Sequence, residues 1–283
     1  MIKYKNKNLV IASVGDRSLH NFWMPDKNKN YDLFLINYGQ KSYKNDCNFY
    51  LEKKGFKYNL IHEAFQNNPH LYDYKYVWMP DDDIYIEPEE IEKLFNIVEE
   101  YDIWIGQPSI MGWYGLKVTL HNIDTKIRFT NYVEIMCPCF ESSALKKCIC
   151  TFIENESGWG IDHLWNIQLE NPTNRLAIID DVIAIHTRPV GSGELYKNFN
   201  QKLNHAEKEN YELWKKYNLA TSSYKDLKNG KLFSVESFSL NYHNTVEYSR
   251  VYRQLEAGVD VSDRFWPPSD YLKKLLTIEK LIS

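Results

Sequence analysis

Three consecutive carboxylates, Asp81, Asp82 and Asp83, are the residues of this sequence whose types and spacing point most directly to chemistry. They end an apolar run that begins at Tyr76 and has the composition of a buried strand. Open α/β sheets bind ligands outside the carboxyl ends of their strands. Adjacent carboxylates repel one another unless a positive charge lies near them. A hard divalent cation that also binds substrate phosphates would supply that charge, and a solvated acidic turn is the alternative.

His186 is the second candidate for metal chemistry. It ends a later apolar run, and Arg188 follows it closely. Side chains alternate along an extended chain, so Asp81 and Asp83 are predicted to project to the same side, one holding a metal and the other reaching a ribose hydroxyl or a second metal-bound water. Imidazole can complete a Mn²⁺ sphere of oxygen ligands, and a guanidinium can neutralise a leaving pyrophosphate. A hydrogen-bonded surface histidine is the competing interpretation.

The segment SGWGIDH, residues 157–163, is the third candidate. Gly158 and Gly160 allow the backbone to approach a ligand closely, and Trp159 between them offers a flat face for stacking. Asp162 then lies in the first turn of a predicted helix, where it is a candidate carboxylate base that takes a proton from an attacking hydroxyl. The competing interpretation is structural, because an acid in the first turn stabilises any helix.

Two further positions have two interpretations each. Glu134 lies in an apolar stretch, where it either pairs with a cation such as Arg128 or faces the cleft and binds a sugar hydroxyl. Arg17 and His20 follow the first predicted strand, where a loop can hold a base or a phosphate. Both residues are equally compatible with an ordinary surface loop.

The elements that must position these residues alternate between strand and helix over the first 110 residues. Strands are predicted at Asn8–Val14, Tyr31–Asn37, 57–61, from Tyr76 to the acidic triplet, 102–106, 132–140 and 176–185, and helices at 45–54, from Glu87-Pro88, 141–153, 161–169, 202–217 and from Asp270. This alternation indicates an α/β fold with a mostly parallel sheet and helices on both faces. Pro138 is expected at a sheet edge or a bulge. Residues 1–197 are expected to form the nucleotide-binding and catalytic domain, and 198–283 a C-terminal extension.

Composition excludes some classes of function. The net charge of -4 over 283 residues argues against a nucleic-acid-binding protein, which would show a basic face. The first residues lack the apolar core of a signal peptide, and no stretch approaches the ~20 apolar residues that cross a bilayer. A cytoplasmic protein is therefore expected.

The five cysteines are expected to be reduced, since their number is odd and no export signal precedes them. The pairs Cys137/Cys139 and Cys148/Cys150 are each separated by one residue. Structural zinc sites usually space paired thiolates by two to four residues. Buried thiols are predicted instead of a zinc site.

Four longer segments resemble a family of plant and bacterial proteins, long catalogued as a domain of unknown function and associated with glycosyltransferases of the GT-A fold. They are WMPDDDI, RFTNYVEIMCPCF, SGWGIDHLW and AIIDDVIAIHTRPVG, and the resemblance extends over residues 8–196. It implies a nucleoside-diphosphate sugar, with UDP favoured, held through Mn²⁺ or Mg²⁺.

The resemblance also implies roles for individual residues. Asp83 and His186 would be metal ligands, Asp81 a ribose or metal contact, and Asp162 the base of an inverting enzyme. Ile161 stands where the family motif more often has Glu, which departs from its usual G-E-D form. The nucleotide and substrate contacts would come from Asp81, Asp82, Arg17, Trp159, Gly160, Glu134 and Arg188.

The function that follows is transfer of a sugar to a glycan or lipid-linked acceptor, as in bacterial surface polysaccharide synthesis. The C-terminal extension would supply acceptor contacts or a homodimer surface. Its Lys-interleaved last helix would either pack on the core or rest on the inner face of the membrane. One alternative is a metal-dependent hydrolase with Asp81, Asp83 and Asp180 as ligands, Asp181 being a further competing acid. The other is a carbohydrate-binding protein without catalysis.

Overall fold

The computed structural model describes residues 6–24, 29–113, 117–122, 125–189 and 203–219. Nine strands form one sheet. They are β1 Asn8–Val14, β2 Tyr31–Asn37, β3 Phe49–Glu52, β4 Tyr76–Trp78, β5 Ile84–Tyr85, β6 Ile105–Gly112, β7 Ile127–Thr130, β8 Cys139–Glu141 and β9 Leu176–His186. The α-helices are α1 Lys57–Asn67, α2 Pro88–Glu100, α3 Ser142–Cys148, α4 Asp162–Gln168 and α5 Leu203–Lys216. Short 3-10 helices lie at His20–Trp23, Pro69–Asp73, Lys117–Thr119 and Ile149–Ile153.

The sheet has the strand order β3-β2-β1-β4-β8-β6-β9-β5, and β7 pairs with β9. Strands β3, β2, β1 and β4 are parallel neighbours, and β6 and β9 are parallel to each other. Strand β8 runs antiparallel between β4 and β6, so those two strands point the same way. Six of the nine strands therefore share one direction, and β5, β7 and β8 oppose them. The predicted α/β class with a mostly parallel sheet is confirmed.

Helices cover both faces of this sheet. Leu9 and Ile11 of β1 pack in a core with residues of α1, α3 and α4, whereas Val10 and Ala12 pack with α2. This division follows from the alternation of side chains along a strand. Leu213 of α5 joins the first of these cores.

Two predicted elements before β4 are wrong. The helix predicted at 45–54 is replaced by strand β3, and the strand predicted at 57–61 is the beginning of α1. Helix α1 buries Tyr58, Leu60, Ile61, Ala64 and Phe65. These positions recur at the spacing of one helical face, and a short apolar run does not distinguish strand from helix until that period is followed further.

Strand β6 and the region before β8 also differ from prediction. The strand expected at 102–106 begins at Ile105 and continues to Gly112. Only Cys139–Glu141 of the stretch 132–140 is a strand, and it lies between β4 and β6 instead of at an edge. Pro138 immediately precedes it, and its carbonyl oxygen accepts a hydrogen bond from Met79 N at 2.8 Å. The proline costs the sheet no donor because it lies outside the strand.

The described part of the chain contains no helix long and apolar enough to span a membrane. Helix α5 confirms most of the helix predicted at 202–217. The glycine-rich residues 190–193, residues 221–261 and the predicted helix from Asp270 lie outside the described residues.

Candidate functional site

The acidic triplet lies between β4 and β5, and the pairing of β5 places it next to the end of β9. Ile84 pairs with His186 in antiparallel register. Thr187 N and Thr187 Oγ1 donate to Asp83 O at 3.1 and 2.8 Å, which extends this pairing by one residue. Residues about a hundred positions apart in sequence are thereby brought side by side.

Asp83 and His186 meet through their side chains. His186 Nε2 lies 3.3 Å from Asp83 Oδ1. His186 Nδ1 lies 2.7 Å from Trp113 O, and because a carbonyl oxygen only accepts, Nδ1 carries the hydrogen. Asp83 Oδ1 is buried and accepts no hydrogen bond from any of the described residues. Burial lowers the pKa of His186, but the carboxylates of Asp83 and then Asp81 outweigh it and raise this pKa to about 9.

Asp81 is held by Lys57, the first residue of α1. Lys57 Nζ lies 2.8 Å from Asp81 Oδ1 and also donates to the carbonyl oxygens of Ile135 and Met136 at 2.8 and 3.0 Å. Burial raises the pKa of Asp81, and the Lys57 ammonium opposes that rise. Asp81 therefore has a partner different from that of Asp83.

Asp82 points to the loops that follow β1 and β2. Its Oδ2 accepts hydrogen bonds from Gly15 N at 2.8 Å and from the Tyr38 hydroxyl at 2.7 Å. Arg188 Nη1 lies 3.7 Å from Asp82 Oδ1. Burial, followed by repulsion from Asp83, raises the pKa of Asp82 to about 7. The middle carboxylate thus joins the ends of two parallel strands.

Each carboxylate of the triplet has its own cation from a different part of the chain. Lys57 of α1 pairs with Asp81, Arg188 after β9 lies near Asp82, and His186 of β9 pairs with Asp83. The repulsion expected from the sequence is therefore relieved by the protein's own side chains. The presence of three adjacent acids does not by itself require a metal ion.

Arg188 has donors that no acceptor in the described part of the chain uses. Nη2 donates to the carbonyl oxygen of Arg17, whereas the buried Nε and Nη1 make no hydrogen bond within the described residues. A buried N–H group without an acceptor costs free energy. An anion between these groups and the acidic triplet would remove that cost. The Arg17 side chain itself is exposed at the same loop.

Asp162 is the first residue of α4 and is almost fully buried. Its Oδ2 accepts from the Tyr132 hydroxyl at 2.7 Å and from Ile135 N at 3.3 Å. Its Oδ1 accepts from His163 N at 3.1 Å. Burial and the nearby Asp162 carboxylate keep the pKa of Tyr132 far above the usual value, so this hydroxyl remains a donor. The Asp162 carboxylate is held in one orientation.

Glu134 is buried beside the same group of acids. Its Oε2 accepts from Thr119 Oγ1 at 3.2 Å, and its backbone N donates to Gln107 Oε1 at 2.6 Å. Burial, followed by repulsion from Asp162, raises the pKa of Glu134 to about 8. The alternative of a Glu134–Arg128 pair is wrong, since the partner of Arg128 is Asp180.

The glycines of the SGWGIDH segment pack against the protein itself. Gly158 and Gly160 have φ of +80° and +88°, which favour glycine. A Cβ on Gly158 would lie 2.8 Å from the Tyr58 ring, and one on Gly160 would lie 2.3 Å from Asn210 Oδ1 in α5. Trp159 is half-buried between them. The close approach predicted for a ligand is made by protein atoms.

Asp180 does not share the site of Asp81 and Asp83. Its two oxygens accept from Arg128 Nε and Nη2 at 2.6 and 2.8 Å, and also from Thr125 Oγ1 at 2.6 Å and Asn122 N at 2.9 Å. Both carboxylate oxygens of Asp180 therefore already accept hydrogen bonds from protein groups in the core. Asp181 is exposed and pairs with Lys93.

Two other arrangements of reactive side chains lack the geometry of a site. Ser109 Oγ and Asp180 Oδ1 lie 3.0 and 3.9 Å from the same nitrogen, Nδ1 of His121, so no proton relay runs through the ring. Within the described ranges, Glu156, His205 and Glu209 are the set whose ligand atoms lie within 4.8 Å of one another. The Glu209 carboxylate in this set accepts from the backbone N of Glu156 and Ser157. Both arrangements have a structural explanation.

Sequence reasoning missed three side chains that hold the predicted site residues. Lys57 holds Asp81, Tyr38 holds Asp82, and Tyr132 holds Asp162. Lys57 and Tyr38 could not be identified from the sequence, because only the tertiary fold brings them next to Asp81 and Asp82. Tyr132 lies two residues before Glu134 in the segment RFTNYVEIMCPCF, which was the available signal.

The backbone is similar to those of solved structures that contain nucleotide sugars. S. aureus TarS residues 1–349 in complex with UDP-GlcNAc matches with a TM-score of 0.47 and 15% identity, over 68% of this chain and 60% of that chain. Mannosyltransferase PcManGT from Pyrobaculum calidifontis, in complex with GDP-Man and Mn²⁺, matches with a TM-score of 0.44 and 11% identity, over 65% of this chain and 58% of that chain. This chain thus spans about 60% of the length of these proteins. No protein-family model and no curated protein matches the sequence. Identity at this level assigns no role to any residue of this chain.

Proposed function

We propose that the protein is a metal-dependent, inverting glycosyltransferase of GT-A type that moves a sugar from a nucleoside-diphosphate sugar to a hydroxyl of a glycan or glycolipid. The observation that carries this proposal is the meeting of Asp83 Oδ1 and His186 Nε2 at 3.3 Å, two residues before Arg188, whose Nε and Nη1 make no hydrogen bond among the described residues. An oxygen, a nitrogen and a guanidinium at one edge of a sheet match the needs of a metal–diphosphate group.

Asp83 and His186 would hold Mn²⁺ or Mg²⁺. Asp83 Oδ1 accepts no hydrogen bond from the residues that the structure describes, and the bond from His186 Nδ1 to Trp113 O orients Nε2 toward that oxygen. A backbone acceptor on the second ring nitrogen is the usual support of a metal-bound histidine. When bound, the ion would supply positive charge to the diphosphate leaving group. These residues therefore fit the ion that the resemblance implies.

The remaining donor contacts are assigned by the same geometry. Arg188 Nε and Nη1 would donate to a phosphate oxygen, and Asp81, whose side chain is 40% exposed, would accept from a ribose hydroxyl. Asp82 would hold the loops after β1 and β2 in the positions that receive the nucleotide. Arg17, in the loop after β1, and Trp159, in the loop before α4, are proposed as outer contacts.

Asp162 is proposed as the base. A hydroxyl of the acceptor would donate to an Asp162 oxygen, and the proton would pass to that carboxylate as the hydroxyl attacks the sugar. Tyr132 and Ile135 N fix the orientation of the carboxylate before the acceptor arrives. Glu134, buried nearby and with its pKa raised to about 8, would hold a sugar hydroxyl.

The test is turnover of UDP-GlcNAc and GDP-mannose, with Mn²⁺ and a mixture of glycan acceptors, by wild-type protein and four variants. We expect Asp83→Ala and His186→Ala to lose at least ~100-fold in kcat/KM, and the wild type to lose its activity with EDTA. Asp162→Asn should lower kcat at least ~100-fold while the donor still binds. Lys93→Met, on an exposed surface pair, should keep wild-type turnover.

Four outcomes would contradict the proposal. Full activity of Asp83→Ala would remove the metal assignment, and full activity of Asp162→Asn would remove the base. Sugar release that is independent of every acceptor would favour a hydrolase, and metal-independent glycan binding without nucleotide affinity would favour a carbohydrate-binding protein.

A further inference from the structure

Lys57 is a buried cation to which the proposed chemistry assigns no step. Its side chain is only 11% exposed. Nζ contacts Asp81 Oδ1 and the carbonyl oxygens of Ile135 and Met136, all within 3.0 Å. An ammonium group has three donors, so these acceptors match them one for one. Lysine is seldom buried without such partners.

We propose that Lys57 is the positioning residue of the donor site, an inference that rests on the proposed function. It holds one oxygen of Asp81 and leaves a side chain that is 40% exposed to receive the nucleotide. Its positive charge compensates Asp81, which otherwise lies beside the like charge of Asp83. Asp81 is therefore held in one orientation before the donor binds.

The same ammonium joins the donor side of the site to the base. Asp81 N donates to Met136 O at 2.8 Å, and Ile135 N donates to the Asp162 carboxylate at 3.3 Å. Lys57 donates to the carbonyl oxygens of both Ile135 and Met136. The acidic triplet and the base are thus two parts of one hydrogen-bonded unit with Lys57 at its centre.

Four variants separate charge from anchoring. Lys57→Met removes both, Lys57→Gln keeps hydrogen-bond donors without charge, and Lys57→Arg keeps both. Tyr58→Phe removes the hydroxyl that donates to Ile135 O at 2.6 Å and leaves Asp81 untouched. Lys53→Met is the matched surface control, because Lys53 is 41% exposed and pairs only with Glu63 among the described residues.

The experiment measures the Kd of UDP and of GDP, each with MnCl₂, by calorimetry, and the KM of UDP-GlcNAc and GDP-mannose in turnover. Lys57→Met and Lys57→Gln should weaken nucleotide binding at least ~10-fold, because they leave the Asp81 carboxylate without its cation beside the like charge of Asp83. Lys57→Arg should restore binding to within ~3-fold of the wild type. Tyr58→Phe and Lys53→Met should stay within ~3-fold as well. Circular dichroism checks that each variant is folded.

The outcomes distinguish the two proposals. If the wild type binds neither nucleotide and turns over neither sugar, the proposed function fails. If the wild type is active and Lys57→Gln binds the nucleotide as the wild type does, only the role of Lys57 is overturned. An equal loss in Tyr58→Phe, or failure of Lys57→Arg to fold, would also overturn it, because anchoring of the loop would then explain the effect.

Discussion

Three adjacent aspartates in this protein have three different environments. Asp81 is held by Lys57, Asp82 by the loops after β1 and β2, and Asp83 lies against His186. These identical side chains therefore differ in their chemistry, since the pKa and the available lone pairs of each carboxylate depend on the groups that it contacts. Asp83 retains an oxygen to which none of the described residues donates, which is why we propose it as a metal ligand.

Glu134 yields a prediction for pH dependence at the residue scale. Its pKa is raised from 4.5 to about 8 by burial, followed by repulsion from Asp162. The folded protein favours the neutral carboxyl of Glu134. The resulting stability is fully present below the unfolded-state pKa and is lost as the pH rises to about 8, because the unfolded chain then gains by ionising. Glu134→Gln, which stays neutral, should therefore gain on the wild type between pH 5 and pH 8.5 by about 4 kcal/mol in free energy of unfolding. Urea unfolding at the two pH values measures the difference.

The result at the lower pH serves as the control, because both proteins are then largely neutral at this position when folded. Wild-type and Glu134→Gln stabilities that change in parallel with pH would show that Glu134 ionises in the folded state at an ordinary pH.

At the scale of elements, the two-residue strand β5 has a decisive effect. It pairs with the last two residues of β9 and so places the acidic triplet against His186. Helix α5 packs against the residues next to Asp162. Asn210 and Leu213 lie against Gly160, and Trp214 contacts the ring of His163. The residues next to Asp162 are thus packed against a helix some fifty positions later in the chain.

Gly160→Ala tests this packing. The φ of +88° disfavours any side chain, and the new Cβ would lie 2.3 Å from Asn210 Oδ1. We expect a loss of about 2–3 kcal/mol in free energy of unfolding, measured by urea titration. Combining it with Asn210→Ala should recover part of that loss, because the truncation removes the contact and leaves only the backbone strain. Strictly additive effects of the two substitutions would show that the contact does not contribute.

At the scale of the whole molecule, the structure separates groups that support the fold from groups available to a ligand. The Asp180–Arg128 pair is buried next to β7 and β9, and its oxygens are fully used by Arg128, Thr125 and Asn122. The acids of the triplet lie at the other kind of position, where Asp83 Oδ1 and two Arg188 nitrogens make no hydrogen bond within the described ranges.

Asp180→Asn should therefore destabilise the protein without changing its requirement for metal. Leaving the Arg128 charge buried and unpaired should cost about 3–5 kcal/mol. The neighbouring Asp181→Asn is the matched control, since its pair with Lys93 is exposed and should be worth at most ~1 kcal/mol. Urea unfolding gives both values, and the Mn²⁺ concentration for half-maximal turnover is measured on the folded protein. A large increase in that concentration for Asp180→Asn would revive the hydrolase with Asp180 as a ligand.

Much of the fold was predictable because several elements have strong local signals. Strands β1 and β2 are continuous apolar runs, and α2 begins with Pro88 and two acids before a clear helical period. The errors at 45–54 and 57–61 arose where short apolar runs fit both periods. Phe49–Glu52 is a strand because it pairs with β2, and the local sequence pattern does not show that pairing.

The sequence by itself determined which chemical groups are present and which of them end strands. Asp83 and His186 could be named as partners from their residue types and from their places after two apolar runs. Only the tertiary structure decided that β5 pairs with β9, that Lys57, Arg188 and His186 each compensate one carboxylate, and that Asp180 belongs to the core. The physical reason is that charge compensation depends on distance in space, and those distances are set by strand register and helix packing between segments far apart in the chain.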